Sequence, residues 1–146
     1  MSATYETPGM RFMYPENWSV VEEDATGQPQ TATVAHESGA FWSLALYDAG
    51  AVPVDLAAEA LAALRSEYPD LEAEVSTQGP AGADLDVVGY DVQFYVQQLV
   101  AAGRVRAFRH AGKTALVLCQ AEDRQFDQLA PVFDAMTVSY ARFAEG

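Results

Sequence analysis

One cysteine and two histidines, Cys119, His36 and His110, are the only thiol and imidazole groups in the chain. A nucleophilic thiol needs an exposed, electropositive setting that favours the thiolate. Cys119 instead ends the apolar run Ala115-Leu116-Val117-Leu118-Cys119, where a free cysteine behaves as a small hydrophobe. A metal centre needs clustered His, Cys or carboxylate ligands, whereas His36 and His110 each sit beside a separate turn. Two carboxylate groups are close in sequence. Asp84 and Asp86 share a strand face by spacing, and Glu22-Glu23-Asp24 lie at a strand end. General acid–base catalysis requires two groups that converge with perturbed pKa values, and both clusters read as solvated surface. No Gly-x-Ser-x-Gly elbow is present. Gly103 followed by Gly112-Lys113-Thr114 ends like a phosphate-binding loop but has the wrong spacing. The expectation is no catalytic residue, no metal, no cofactor and no enzymatic activity.

The polar residues that stand out are cationic. Arg104, Arg106, Arg109 and Lys113 fall within ten residues that contain no acid. Two readings stand. The cations neutralise an acidic surface on neighbouring strands, or they form a docking strip for an acidic partner or a second subunit. Arginine suits the second role through its planar, bidentate donors. The aromatic residues, 2 Trp, 7 Tyr and 7 Phe, also divide two ways. Most read as packed core. Trp42, Tyr90 and Tyr95 are candidates to line an apolar pocket with a few placed polar groups.

Charge narrows the partners. The 146 residues carry 8 Lys+Arg against 21 Asp+Glu, a formal net charge of −13. Residues 1–75 hold 13 acids and 2 bases, and residues 76–146 hold 8 acids and 6 bases. Such a surface repels phosphate backbones and anionic membranes, so neither nucleic acid nor membrane is an expected partner. The segment Met1–Glu6 has neither the basic region nor the apolar stretch of an export signal. A lone cysteine forms no internal disulfide and suits a reducing compartment. The expected location is cytoplasmic.

The elements that would position these groups follow from periodicity. Residues 10–14 read as a strand ended by Pro15, and Trp18–Glu23 as a second. Thr31–Glu37 and Phe41–Tyr47 flank a short turn with Gly39, as in a hairpin. After Pro53, Ala57, Leu61, Leu64 and Tyr68 share one helical face, with Asp55 able to cap and Pro69 ending the helix. Leu71–Ser76 reads as a strand. From Val88 the alternation is clean: Val88, Tyr90, Val92, Phe94 and Val96 point one way, while Gly89, Asp91, Gln93, Tyr95 and Gln97 point the other. Ala101-Ala102-Gly103 is expected to turn. Arg104–Arg109 and Thr114–Gln120 flank another hairpin turn, and the strand through Ala115–Cys119 is apolar on both faces, hence central. Phe126, Leu129, Phe133 and Met136 repeat with helical spacing. Pro131 within that stretch predicts a kink or two short helices, followed by a short strand over Thr137–Tyr140. Strand groups separated by helices predict a single α+β domain over 1–146, core about 10–140. It would have a central antiparallel sheet of about six to seven strands flanked by two main helices.

The opening Phe12-Met13-Tyr14-Pro15-Glu16-Asn17-Trp18-Ser19-Val20 resembles the strand-turn-strand entry of PsbP/DcrB-like domains. The later order is similar too: a helix ending in Tyr68-Pro69, a long strand to Val96, the stretch Arg104-Val105-Arg106-Ala107-Phe108, and a helix carrying Phe133, Met136 and Ser139. The resemblance covers roughly residues 10–140. It implies a PsbP-like sheet flanked by helices and a role in protein interaction. Characterised members include an extrinsic photosystem subunit, a Ran-binding import factor and chaperone-like or envelope proteins. The expected function is a small non-catalytic, cytosolic protein-binding, adaptor or chaperone-like domain, with self-association as a homodimer one form of that. The alternative is a small-molecule-binding protein or enzyme with an aromatic-lined pocket.

Overall fold

A computed structural model describes residues 1–146. Nine strands and two helices occur in the order β1 (Ser2–Thr7), β2 (Met10–Pro15), β3 (Ser19–Asp24), β4 (Gln30–Ala35), β5 (Phe41–Asp48), α1 (Pro53–Glu67), β6 (Glu72–Ser76), β7 (Val88–Val96), β8 (Leu99–His110), β9 (Lys113–Glu122) and α2 (Asp123–Ala144). β3 to β9 form one antiparallel sheet in the order β3-β4-β5-β9-β8-β7-β6, while β1 and β2 pair as a separate two-stranded ribbon. The α+β architecture with a seven-stranded sheet and two helices is as the sequence pattern implies. β9 is the middle strand, where a run apolar on both faces belongs.

Alternation along the strands assigns the two faces. Val105 and Ala107 of β8 and Leu116 of β9 meet Leu56 and Ala57 of α1. Val92 and Phe94 of β7 lie under Leu61 on the same side, where Tyr68 stacks on Phe94 with 4.2 Å between ring centroids. The opposite face holds the main core. There Trp42, Leu44 and Val117 pack against Phe133, Met136 and Tyr140 of α2 and against Phe12 of the ribbon. The Phe12 and Trp42 rings meet edge-on at 4.8 Å. Burial of rings of this size dominates core energetics.

Residues 2–7, ahead of the elements expected from sequence, are a strand, β1, paired in register with β2. Three local expectations need correction. Ala101-Ala102-Gly103 does not turn. It continues β8, and the reversal comes at Gln97 and Gln98, with φ of 56° and 91°. Two glutamines in the left-handed region lack the Gly or Asn that normally marks this hairpin turn. Residues 123–144 form one helix through Pro131, and Thr137–Tyr140 belong to it rather than to a strand. Pro131 is on the exposed side, where water can satisfy the carbonyl its missing N–H leaves free. The apolar stripe carries on unbroken through Met136, Tyr140 and Ala141. Finally, the α1 N-cap is Val52 without a side-chain bond, and Asp55 sits in the first turn behind Pro53, where its charge favours the helix dipole.

Candidate functional site

The four cations singled out from sequence do not share a face. Even-numbered β8 side chains point to α2 and odd-numbered ones to α1, because strand period is two. Arg104 reaches Asp134 of α2 at 3.1 Å and lies 5.1 Å over the Phe126 ring. Arg106, only 8% exposed along its side chain, bonds Asp91 Oδ1 at 2.6 Å. Its remaining donors go to the carbonyls of Gln78, Tyr90 and Val105. Arg109 turns the other way, to the carbonyls of Ala49 and Ala51 beside α1. Lys113 stands 3.8 Å from Asp48. All four cations thus have partners within the chain, and Arg106 ties the Gln78 loop to the sheet.

Arg104 and Arg106 border a small cavity of ≈ 20 Å³, lined also by Trp42, Cys119, Phe133 and Thr137 among others. A space of that size admits no organic ligand, since it is near the minimum for a single water. Trp42 Nε1 donates to Thr137 Oγ1 at 3.1 Å beside it. Cys119 is buried, and desolvation drives its thiol up to about 12 despite the opposing fields of Arg104 and Arg106. A thiol so raised supplies no thiolate near neutrality. The three aromatic pocket candidates do not converge. Trp42 is buried on the α2 face, Tyr90 faces α1, and Tyr95 is 68% exposed near the β7–β8 turn.

The histidines lie at opposite ends of β5. His36 follows Ala35, the partner of Phe41, and its Nδ1 accepts from the Ser38 backbone N–H at 3.1 Å. His110 pairs with Lys113, itself opposite Asp48, and its Nε2 meets the Ala141 carbonyl at 2.9 Å. No group of three or more His, Cys, Asp or Glu is arranged to hold a metal ion. Asp84 and Asp86 occupy an exposed loop rather than a strand face.

A different set of carboxylates does converge. Glu72 and Glu74 of β6, Asp91 of β7, and Asp123 and Asp127 of α2 line one open groove of ≈ 540 Å³, with Phe126 in its wall. Register explains the assembly. Glu72 lies across from Gln93 and Glu74 across from Asp91, so alternate residues of both strands face the α2 side. Asp123 and Asp127 are one helical turn apart and therefore on one face of α2. Gln93 Nε2 donates to Asp123 Oδ1 at 2.9 Å within this lining. Of the five carboxylates only Asp91 is in a salt bridge. Around the edge of β6 a second cleft of ≈ 180 Å³ carries Glu67 and Asp70 over a floor of Tyr68, Leu71, Phe94 and Tyr95. Sequence reasoning misses these acids as a site because they are scattered along the chain from Glu72 to Asp127. The visible signals are the two-residue spacing of Glu72 and Glu74 and the four-residue spacing of Asp123 and Asp127.

No helix of the chain is long and apolar enough to cross a membrane. No protein-family model matches the sequence, and no curated protein matches it. Solved structures do. The cyanobacterial PsbP, CyanoP, of Synechocystis sp. PCC 6803 superposes with a TM-score of 0.58 at 13% identity, over 94% of this chain and 90% of that one. PA94 of Pseudomonas aeruginosa, a protein of unknown function, superposes with a TM-score of 0.52 at 12% identity, over 94% of both chains. Identities this low speak to fold and not to activity. On that footing the resemblance seen in Phe12–Val20 is upheld at the level of architecture, and the chain has the PsbP-like fold.

Proposed function

We propose that the chain is a small, non-catalytic protein-binding domain whose recognition surface is the acidic groove between β6, β7 and α2. The observation that carries this reading is the convergence of Glu72, Glu74, Asp91, Asp123 and Asp127 on one open groove. A field of this sign selects Lys/Arg-rich partner segments and speeds their encounter. The bare sheet edges are poor alternatives. β3 carries a bulge at Val20/Glu22 and the acids Glu22, Glu23 and Asp24, and β6 carries Glu72 and Glu74. Edge charges and bulges discourage strand addition. A reducing compartment, the cytosol, suits the single buried thiol.

The test uses a fluorescein-labelled nine-residue peptide of alternating Lys and Arg, read by anisotropy. Glu74→Lys with Asp127→Lys removes groove charge. Glu22→Lys with Asp24→Lys makes the same net change at the far edge. The reading requires the groove variant to weaken binding at least tenfold and the far-edge variant less than threefold. Equal weakening would reduce the effect to net charge and overturn it.

A further inference from the structure

The surface beside the groove includes an apolar tip. β6 pairs with β7 only as far as Gln93, so the outer backbone edge of Phe94, Tyr95 and Val96 has no strand partner. On the α1 side the hairpin is held by the Tyr68–Phe94 stack, and on the α2 side by the Gln93–Asp123 hydrogen bond. Immediately beyond those contacts Tyr95 is 68% exposed on the α2 face, whereas Leu99, across from Val96, is exposed on the α1 face. Tyr95 is on the same strand face as Asp91 and Gln93, in line with the groove, and it also forms part of the Glu67/Asp70 cleft. Two acid-lined hollows therefore flank one exposed aromatic residue.

We propose that this tip docks a partner segment carrying a large apolar residue next to Lys or Arg. The apolar side chain would rest on Tyr95 and the Phe94 edge, which share the cleft floor, and the cations would enter the two hollows. Resting on the protein-binding reading above, this names the chemistry of the partner. Charge complementarity chooses the occupant. The exposed acids flanking the tip, Glu67, Asp70, Glu72 and Asp123, repel an anionic bilayer and a second copy of a chain with net charge −13. They attract a cationic segment whose stems can cover apolar surface. Aromatic residues at the centre of a contact, ringed by polar groups, are where binding energy concentrates.

The experiment compares two labelled nine-residue peptides of equal charge, one with Trp-Leu at its centre and one with Ser-Ser there. The proteins are wild type, the tip variant Tyr95→Ser, and the groove variant Glu74→Lys with Asp127→Lys. The tip substitution is at an exposed position, and an unchanged urea midpoint confirms folding. Expected are an advantage of at least fivefold for the Trp-Leu peptide on wild type and loss of that advantage in the tip variant. The Ser-Ser peptide should bind wild type and tip variant alike. If the two peptides bind wild type equally, or the advantage survives in the tip variant, the tip inference falls while the groove reading stands. If the groove variant loses neither peptide, the groove reading falls. Cosedimentation of wild type, but not the tip variant, with phosphatidylcholine vesicles would assign the tip to a lipid surface and overturn the inference. A wild-type dimer that the tip variant converts to monomer in sedimentation equilibrium would overturn it too.

Discussion

Asp91 lies directly across from Arg104 in the β7–β8 ladder, yet it bonds Arg106, the diagonal neighbour, at 2.6 Å. Arg104 is drawn off to Asp134 on α2. The residue directly across from Arg106 is Gly89, which presents no side chain there. One sheet row therefore anchors α2, and the next anchors the Gln78 loop through Arg106 Nε. Arg106→Ala would strand the Gln78 and Tyr90 carbonyls and unpair Asp91, for a loss of about 2–4 kcal/mol. Asp91→Asn leaves the guanidinium bonded to three carbonyls and should cost about 1 kcal/mol. Urea unfolding followed by Trp fluorescence should return that order, and a reversed order would remove Arg106 from its anchoring role.

Gly89 is required for close backbone approach. A Cβ built there would come 1.8 Å from the Val105 carbonyl oxygen, a backbone atom that cannot swing aside. At Gly103 the nearest atom would be the Cys119 carbonyl oxygen at 2.8 Å. Gly89→Ala should destabilise by about 3 kcal/mol or more and Gly103→Ala by less, since overpacking costs scale with the shift demanded. Equal unfolding midpoints for the two variants would refute the ranking.

How much of this is legible in the sequence depends on range. β7 shows its two faces there because alternation is a local property, and α1 shows its stripe for the same reason. The β7–β8 turn is misplaced to Ala101-Ala102-Gly103 because no turn-type residue marks Gln97 and Gln98, and ladder pairing on both sides overrides their preference. α2 survives Pro131 because its core stripe keeps helical spacing on the far side. The basic stretch reads as one strip until strand period divides Arg104 and Arg106 from Arg109. The groove is invisible because Glu74 and Asp127 become neighbours only once the sheet and α2 are assembled.

Alkaline pH should expose the buried acids of the core. Cys119 is raised from its ordinary 9.0 to about 12 by desolvation, and Tyr140 from 10.0 to about 12 for the same reason. In the unfolded chain each loses its proton at the lower value, so the unfolded state binds fewer protons in that window. The stabilisation is complete below pH 9 and is lost as pH rises from 9 to about 12, Tyr140 joining above 10. The urea midpoint should therefore begin to fall between about pH 8.5 and 10 in wild type. In Cys119→Ala it should start lower, from the lost packing, but stay flat over that interval. An identical slope in both proteins would show that the thiol is not the group responsible. Native protein should also resist iodoacetamide at about pH 8 and react promptly in denaturing urea.

The β7–β8 turn itself stores strain that substitution can release. Gln97 and Gln98 both hold positive φ, at 56° and 91°, where a residue with Cβ is disfavoured by about 1 kcal/mol. Asn-Gly is the preferred pair for a two-residue turn of this hand. Gln97→Asn with Gln98→Gly should therefore stabilise by about 1–2 kcal/mol, since glycine also adds freedom to the unfolded chain and gives back part of the gain. For a domain of this size that corresponds to a Tm rise of about 3–8 °C. The replaced side chains are exposed, so no packing is lost to obscure the result. A fall in Tm would mean that the glutamine side chains hold the turn through contacts of their own. Because Tyr95 and Leu99 flank this turn, the stabilised variant should bind the Trp-Leu peptide at least as tightly as wild type, a stiffer tip having less freedom to lose on docking.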